Sequence, residues 1–215
     1  MSKIVVLDDQ TESVRCLANK DKRLAKVMRM VGPITYETHD DPFPFLVHEI
    51  IEQMLSVKAG TKIYGRLEEI CNGKITPEVI HDLSVKQIRG IGTSSAKARY
   101  IHAATDAILD ESIRFSDLEQ MSDEDVIKTL TKLPGIGLWT AKMYLIFVLD
   151  RQDVLPFEDV AFLQSYQWLY KTEDISAEAV KKKCKKWRPY SSIAARYLYR
   201  ALDMGFTKNT FHLYK

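Results

Sequence analysis

Cysteine is scarce in this chain: three in 215 residues, Cys16, Cys71 and Cys184. They are too scattered for a zinc or iron–sulfur spacing, and their odd number does not suggest a disulfide framework, so three ordinary thiols are expected. Long apolar runs are also missing. The longest near the middle, residues 143–149, follows Lys142 and falls well short of the roughly 20 residues needed to span a bilayer. The N-terminus lacks the charged-then-apolar pattern of a signal peptide, and residence in a reducing compartment is the expectation. Neither charge dominates, with 31 Lys and Arg against 29 Asp and Glu. Hairpin turn signals are absent, so IVVL at residues 4–7 reads as a short strand without an evident partner.

What the chain does have is apolar content, 46%, arranged at helical spacing, which is enough to bury a real core. Prolines open the stretch DPFPFLVHEIIEQML at residues 41–55, and apolar positions then recur through Met54 and Leu55. A further helix is expected from about residue 56 to 70. Thr76 before Pro77, Ser84 with Gln87, Ser122 with Asp125, and Ser176 mark four more helix starts. The last long helix spans about residues 191–202 and is closed by Gly205. Lysines crowd into KKKCKKWR at residues 181–188, which reads either as a solvated helix face or as a phosphate-facing patch. An all-α protein of roughly ten short helices follows.

An internal echo organises the helices. RGIGTSSAKARYI from Arg89 and PGIGLWTAKMYLI from Pro134 match at an offset of 45 residues, including Gly90 with Gly135, Gly92 with Gly137 and Lys97 with Lys142. Each copy places Gly-Ile-Gly between two helices, as a tight helical hairpin does. Coincidence is a stronger competitor for the first copy than for the second. In the second copy, glycines let another chain approach without meeting a Cβ, and the first turn of the next helix turns N–H groups outward at the positive end of its dipole. There is no Walker spacing, so a nucleic-acid backbone phosphate fits better than a nucleoside triphosphate.

LPGIGLWTAKMYL, followed after a short interval by DVLPFEDVAF, resembles the helix-hairpin-helix DNA glycosylases, specifically the 3-methyladenine branch that removes alkylated bases. PFPFLVHEIIEQMLSVKA and KWRPYSSIAARYLYR resemble that family's first and last core helices, and the resemblance covers about residues 42–205. It implies a single glycosylase unit of two packed lobes with a central groove, lobe one about residues 56–150 and lobe two about 1–55 plus 151–215. It also implies a monofunctional enzyme of base excision repair that flips out alkylated, cationic purines such as 3-methyladenine or 7-methylguanine and hydrolyses their N-glycosidic bonds.

Carried over by position, the family's catalytic aspartate falls on Asp159. The family often has two consecutive aspartates there, whereas this chain has Glu158 before Asp159. Simple N-capping of the following helix is the competing role for Asp159 and is compatible with catalysis. The hairpin Pro134, Gly135, Ile136 and Gly137, with Thr140 and Lys142, is expected to hold DNA phosphate. Met54, after Gln53, falls where the resemblance places an intercalating wedge, and core packing at helical spacing competes with that reading. Trp139 matches the position that faces the extruded base. Tyr144, Phe157, Trp187 and Tyr190 are candidates to complete an electron-rich pocket, with core packing as the favoured alternative for each. Bifunctional relatives carry a Schiff-base lysine where this chain has Trp139, and iron–sulfur relatives end in a cysteine cluster that it lacks. Lys142, one turn later, is expected at the surface or on a phosphate.

No cofactor is expected to be required. By family likeness a structural sodium or potassium ion is expected on the carbonyls of Thr131, Leu133 and Ile136. The expected partner is double-stranded DNA containing damaged bases, with no membrane and no protein partner, and the protein is expected to be a monomer. The expected location is cytoplasmic and nucleoid-associated in a bacterium, or nuclear in a eukaryote. The competing functional class is a non-catalytic helix-hairpin-helix module that uses both hairpins for DNA backbone contact. A helical scaffold, in which the Gly-Ile-Gly turns merely pack helices, is a third.

Overall fold

In a computed structural model, residues 3–39 and 41–214 are described. The chain begins with β1 (Ile4–Leu7), α1 (Glu12–Lys20), α2 (Lys22–Val31) and β2 (Ile34–Glu37). It continues through α3 (Pro42–Glu52), α4 (Val57–Ile70), α5 (Pro77–His81), α6 (Val85–Gly90) and α7 (Ser95–Leu109). Next come α8 (Phe115–Gln120), α9 (Asp123–Leu130) and α10 (Leu138–Phe147). The remainder is α11 (Val160–Tyr170), α12 (Ala177–Cys184) with a 3-10 turn at Lys185–Trp187, α13 (Ser191–Asp203) and a 3-10 turn at Phe206–Lys208. The fold is therefore essentially all-helical, with thirteen α-helices among the described residues and none long and apolar enough to cross a membrane.

Two differences from the sequence reading are local. The strand at residues 4–7 does have a partner: β1 pairs antiparallel with β2, Ile4 opposite Glu37 and Leu7 opposite Ile34. No short turn announces this pair, because α1 and α2 lie between its strands. The helix expected through Met54 and Leu55 stops at Glu52, Gln53 being its C-cap. Met54 takes a left-handed conformation, φ 59°, that an α-helix cannot contain.

The capping signals act as read. Thr76, Ser84, Ser122 and Ser176 each accept a backbone N–H from the first turn of the helix they precede, with a complete capping box at Ser84 and Gln87, and Ser56, not singled out as a cap in the sequence, does the same for α4.

The chain forms two compact units, one from Met1–Thr38 together with Asp150–Lys215 and the other from His39–Leu149. The inner unit thus begins at His39 and not near residue 56, because α3 packs against α4, α7 and α10. Residues 1, 2, 40 and 215 of the expected lobe two lie outside the described residues.

The core of the inner unit fully encloses Leu46, Ile50, Leu67, Ile80, Ile101 and Leu130. In the outer unit α13 packs on α2 and α11 around Leu24, Phe162, Tyr166, Trp187 and Leu198. A buried carboxylate ties that core together. Asp21 caps α2 through the N–H groups of Arg23 and Leu24, and it accepts hydrogen bonds from the Tyr170 hydroxyl and, at 3.0 Å, from the Trp187 indole. Lys186 completes the set at 3.0 Å. Burial alone would raise the Asp21 carboxyl, but these donors outweigh it and hold the group below its usual value.

Candidate active site and nucleic-acid interface

The second glycine hairpin joins α9 to α10. Its two glycines differ in what they require. Gly135 has φ 83°, and a Cβ there would lie 2.2 Å from the Tyr100 ring, so both backbone conformation and packing demand glycine. Gly137 has an extended backbone, φ −97°, and a Cβ there would meet nothing within 4 Å. Nothing inside the fold explains a glycine at position 137, whereas a partner chain pressed against the turn would. Gly137 is the N-cap of α10 and its first turn has no side-chain cap, as suits a helix start offered to an anion.

Pro134 and Gly137 are exposed and Ile136 is buried beneath them. Two expected phosphate contacts change. Thr140 is buried and its hydroxyl lies 3.4 Å from the Gln53 amide, and Lys142 is only 8% exposed. Both follow from α10 being enclosed on nearly all sides, with buried residues running from Thr140 to Ile146. Neither side chain stands out beside the turn, and the exposed surface of the hairpin is formed by Pro134 and Gly137.

The first copy of the echo is used differently. The Gly92 turn has φ 106°, and the Arg66 guanidinium donates to the Ile91 carbonyl at 2.9 Å. That turn is engaged from within the unit, and α7 starts at Ser95, three residues after the second glycine, with Ser94 as its side-chain cap.

Met54 is 100% exposed, which removes the core-packing alternative. Gln53 does not project beside it. Its side-chain amide turns inward and donates to the Gly135 carbonyl at 2.7 Å, so of the two expected wedge residues only Met54 projects, and Gln53 ties its turn to the hairpin. The Lys97 ammonium donates to the carbonyls of Ile51 at 2.8 Å and Gln53 at 2.5 Å. Burial pushes the Lys97 amine below its usual value.

Trp139 is half-buried on the first turn of α10. Tyr144 is fully buried between Phe45 and Phe115, stacked on the latter at 6.3 Å. Its hydroxyl has no hydrogen-bond partner among the described residues, and burial raises its pKa, so it stays neutral.

In the outer unit Asp159 is 9% exposed and caps α11, its Oδ1 accepting the Phe162 N–H at 2.7 Å. The segment before it is pinned to the start of α13. Asp153 accepts from the Ser191 hydroxyl at 2.6 Å and from the Arg188 guanidinium at 2.7 Å, and the Val154 N–H donates to the Ser192 hydroxyl at 2.9 Å. Sequence reasoning missed Asp153, Ser191 and Ser192. Their only signal was a serine pair opening a helix that has no side-chain cap. Glu158 is half-buried beside Asp159 and does not cap the helix.

Trp187, Tyr190 and Phe157 pack on the core of the outer unit, the alternative favoured for each. Trp187 is fully buried, bonded to Asp21 and edge-on to Phe162, because the core of the outer unit closes around it. Tyr190 packs on the same core, next to Glu12 and Cys16 of α1. Phe157 is half-buried with the Lys181 ammonium 4.3 Å above its ring, so that face already holds a cation. Of the lysine-rich run, Lys183 and Lys186 lie over Tyr170 at 5.1 and 5.3 Å, while Lys182 and Lys185 are exposed.

A helical protein with an uncapped glycine hairpin, an exposed apolar tip tethered to it and a carboxylate fixed at a helix start has the parts of a helix-hairpin-helix nucleic-acid-processing protein. The chain belongs to the HhH-GPD superfamily of base excision DNA repair proteins, whose family model matches residues 47–189. It is 32% identical to DNA-3-methyladenine glycosylase 1 of Schizosaccharomyces pombe over 87% of this chain and 84% of that one. Among solved structures, a DNA-3-methyladenine glycosidase from Bacillus halodurans superposes with a TM-score of 0.84 at 32% identity, covering 97% of each chain. The S. pombe 3-methyladenine DNA glycosylase Mag1 in complex with abasic DNA superposes at 0.81, with 29% identity over 90% of this chain and 97% of that one.

Proposed function

We propose that this chain is a monofunctional DNA glycosylase of base excision repair that flips an alkylated, cationic purine out of duplex DNA and hydrolyses its N-glycosidic bond. The observation that carries the reading is Asp159, a nearly enclosed carboxylate held at the start of α11 within the stretch that the family model matches. The names of the relatives, 3-methyladenine glycosylases, and the abasic DNA bound to one of them support it.

Breaking the bond leaves oxocarbenium character on the sugar. Asp159 stabilises that charge, and the helix start keeps the carboxylate in place without further reorganisation. The bonding electron pair goes to the base. A 3-methyladenine or 7-methylguanine already carries a positive charge and leaves as a neutral molecule, so no general acid is needed. Water adds to the sugar carbon and loses a proton, which yields the free base and an abasic site.

Reaching that bond requires extrusion of the nucleotide, and Met54 is shaped to fill the space it vacates. Position 139 carries tryptophan, so no imine forms there and the strand stays intact. The proposed partner is duplex DNA, bound by a monomer through the α9–α10 hairpin.

A structural monovalent ion on that hairpin is part of the proposal. Its donors would be the carbonyls of Thr131, Leu133 and Ile136, neutral oxygens that suit an ion of single charge. Leu133 already accepts the Ile136 N–H at 3.1 Å, which leaves its second lone pair for an ion. The ion would hold the turn and take no part in bond cleavage.

A module binding through two equivalent hairpins is disfavoured, because Arg66 occupies the first turn from within. Release of free base from methylated duplex DNA tests the proposal. Binding without release by the folded protein would favour a non-catalytic module instead.

A further inference from the structure

The first Gly-Ile-Gly copy leads into α7, and α7 touches both parts of the inner unit assigned to DNA. Lys97 reaches the last carbonyls before Met54, those of Ile51 and Gln53. Three residues on, on the same face of the helix, Tyr100 fills the place where a Cβ of Gly135 would stand. Gln53 closes the third side with its amide on the Gly135 carbonyl. A helix C-terminus leaves carbonyls without intrahelical donors and carries partial negative charge, which a lysine ammonium satisfies on both counts. The residue immediately beyond this clamp is Met54, fully exposed and in the left-handed region that a methionine rarely adopts.

We propose that Lys97 is a positioning residue for base extrusion: it fixes the end of α3 so that Met54 is presented, already ordered, beside the phosphate-binding hairpin. Without the clamp, residues 53–55 must be ordered each time Met54 enters the duplex. That ordering opposes the extruded state and leaves the chemical step unchanged. The inference rests on the proposed wedge role of Met54. It adds a function for the first hairpin copy that is distinct from DNA contact, and it separates the echoed lysines: Lys97 reaches the wedge stem, whereas Lys142 is buried on α10.

The test compares Met54→Ala, Lys97→Met, Lys97→Arg and the double variant Met54→Ala/Lys97→Met in single-turnover release of 7-methylguanine from duplex and from single-stranded DNA. Melting and binding to undamaged duplex are measured beside it. Lys97→Met is expected to lose about tenfold on duplex and much less on single strands, where extrusion costs little. Lys97→Arg, which retains charge and donors, is expected to recover most of that loss. The double variant is expected to fall no more than about twofold below Met54→Ala, as for two residues acting through one step.

If Met54→Ala itself releases base from duplex like wild type, the wedge reading fails and takes this inference with it. If Met54→Ala is impaired while Lys97→Met is not, the wedge stands and the positioning role is overturned. Equal losses on both substrates, or multiplicative losses in the double variant, would also overturn it. Should Lys97→Met not fold, Lys97→Gln, with an uncharged donor on a shorter stem, takes its place under the same criteria.

Discussion

The side-chain amide of Gln53 donates to the backbone carbonyl of Gly135 at 2.7 Å, joining the turn that carries Met54 to a hairpin 82 residues further along the chain. The acceptor is held in a conformation that only glycine adopts cheaply. The hairpin's two glycines should therefore separate stability from binding. Gly135→Ala is expected to destabilise the protein by roughly 2–4 kcal/mol, from backbone strain and collision with Tyr100. Denaturant unfolding measures it.

Gly137→Val should leave the fold close to wild type, since the space around a Cβ there is open. Its affinity for duplexes of any sequence should fall, because a side chain at that point keeps a phosphate from the turn. Binding titrations at two salt concentrations check both the loss and the expected weakening of wild-type binding as salt rises. Equal affinity for variant and wild type would remove the turn from the contact surface.

Met54→Ala should change stability by less than about 0.5 kcal/mol, because the side chain is fully exposed. A loss of ~2–5 kcal/mol would instead mark a core residue. Release of damaged base from duplex should fall more than release from single strands.

Helix starts were legible in the sequence because their determinants are local: Ser84 with Gln87, or Thr76 before Pro77, act within one turn. The end of α3 was not. Met54 and Leu55 continue its apolar rhythm, and the clamp that ends the helix comes from Lys97 and Gly135, far away in the chain. Which of the candidate aromatics are core was not legible for a related reason. Aromatic identity alone does not distinguish Trp187, bonded to a buried Asp21, from Trp139, which keeps part of its surface accessible. The capping role of Asp159 was legible because a cap is local to its helix, whereas its catalytic role is legible only through the family resemblance.

The Asp21 network should appear in the acid range. The folded carboxyl titrates below its ordinary value of 3.8, so its contribution is fully present above that value and disappears as pH falls through the depressed folded value. The melting temperature of wild type should drop on acidification below about pH 4, in line with an ordinary Asp pKa near 3.9, and more steeply than that of Asp21→Asn. The variant should also be less stable at neutral pH, since Trp187, Tyr170 and Lys186 lose a charged acceptor. Parallel melting curves for the two proteins across this range would contradict the assignment.

The central claim is that Asp159 carries the chemistry, and single-turnover base release by Asp159→Asn tests it most directly. Asparagine keeps the size and much of the capping of α11 while removing the negative charge. The variant should fold and bind duplex DNA, yet release 7-methylguanine roughly 10²–10³-fold more slowly, the scale at which loss of transition-state charge stabilisation is felt. Glu158→Gln should retain most activity. Wild-type product should be an intact strand bearing an abasic site, with no borohydride-trapped adduct. Full activity of a folded Asp159→Asn would contradict the account, since it would separate the carboxylate from the reaction.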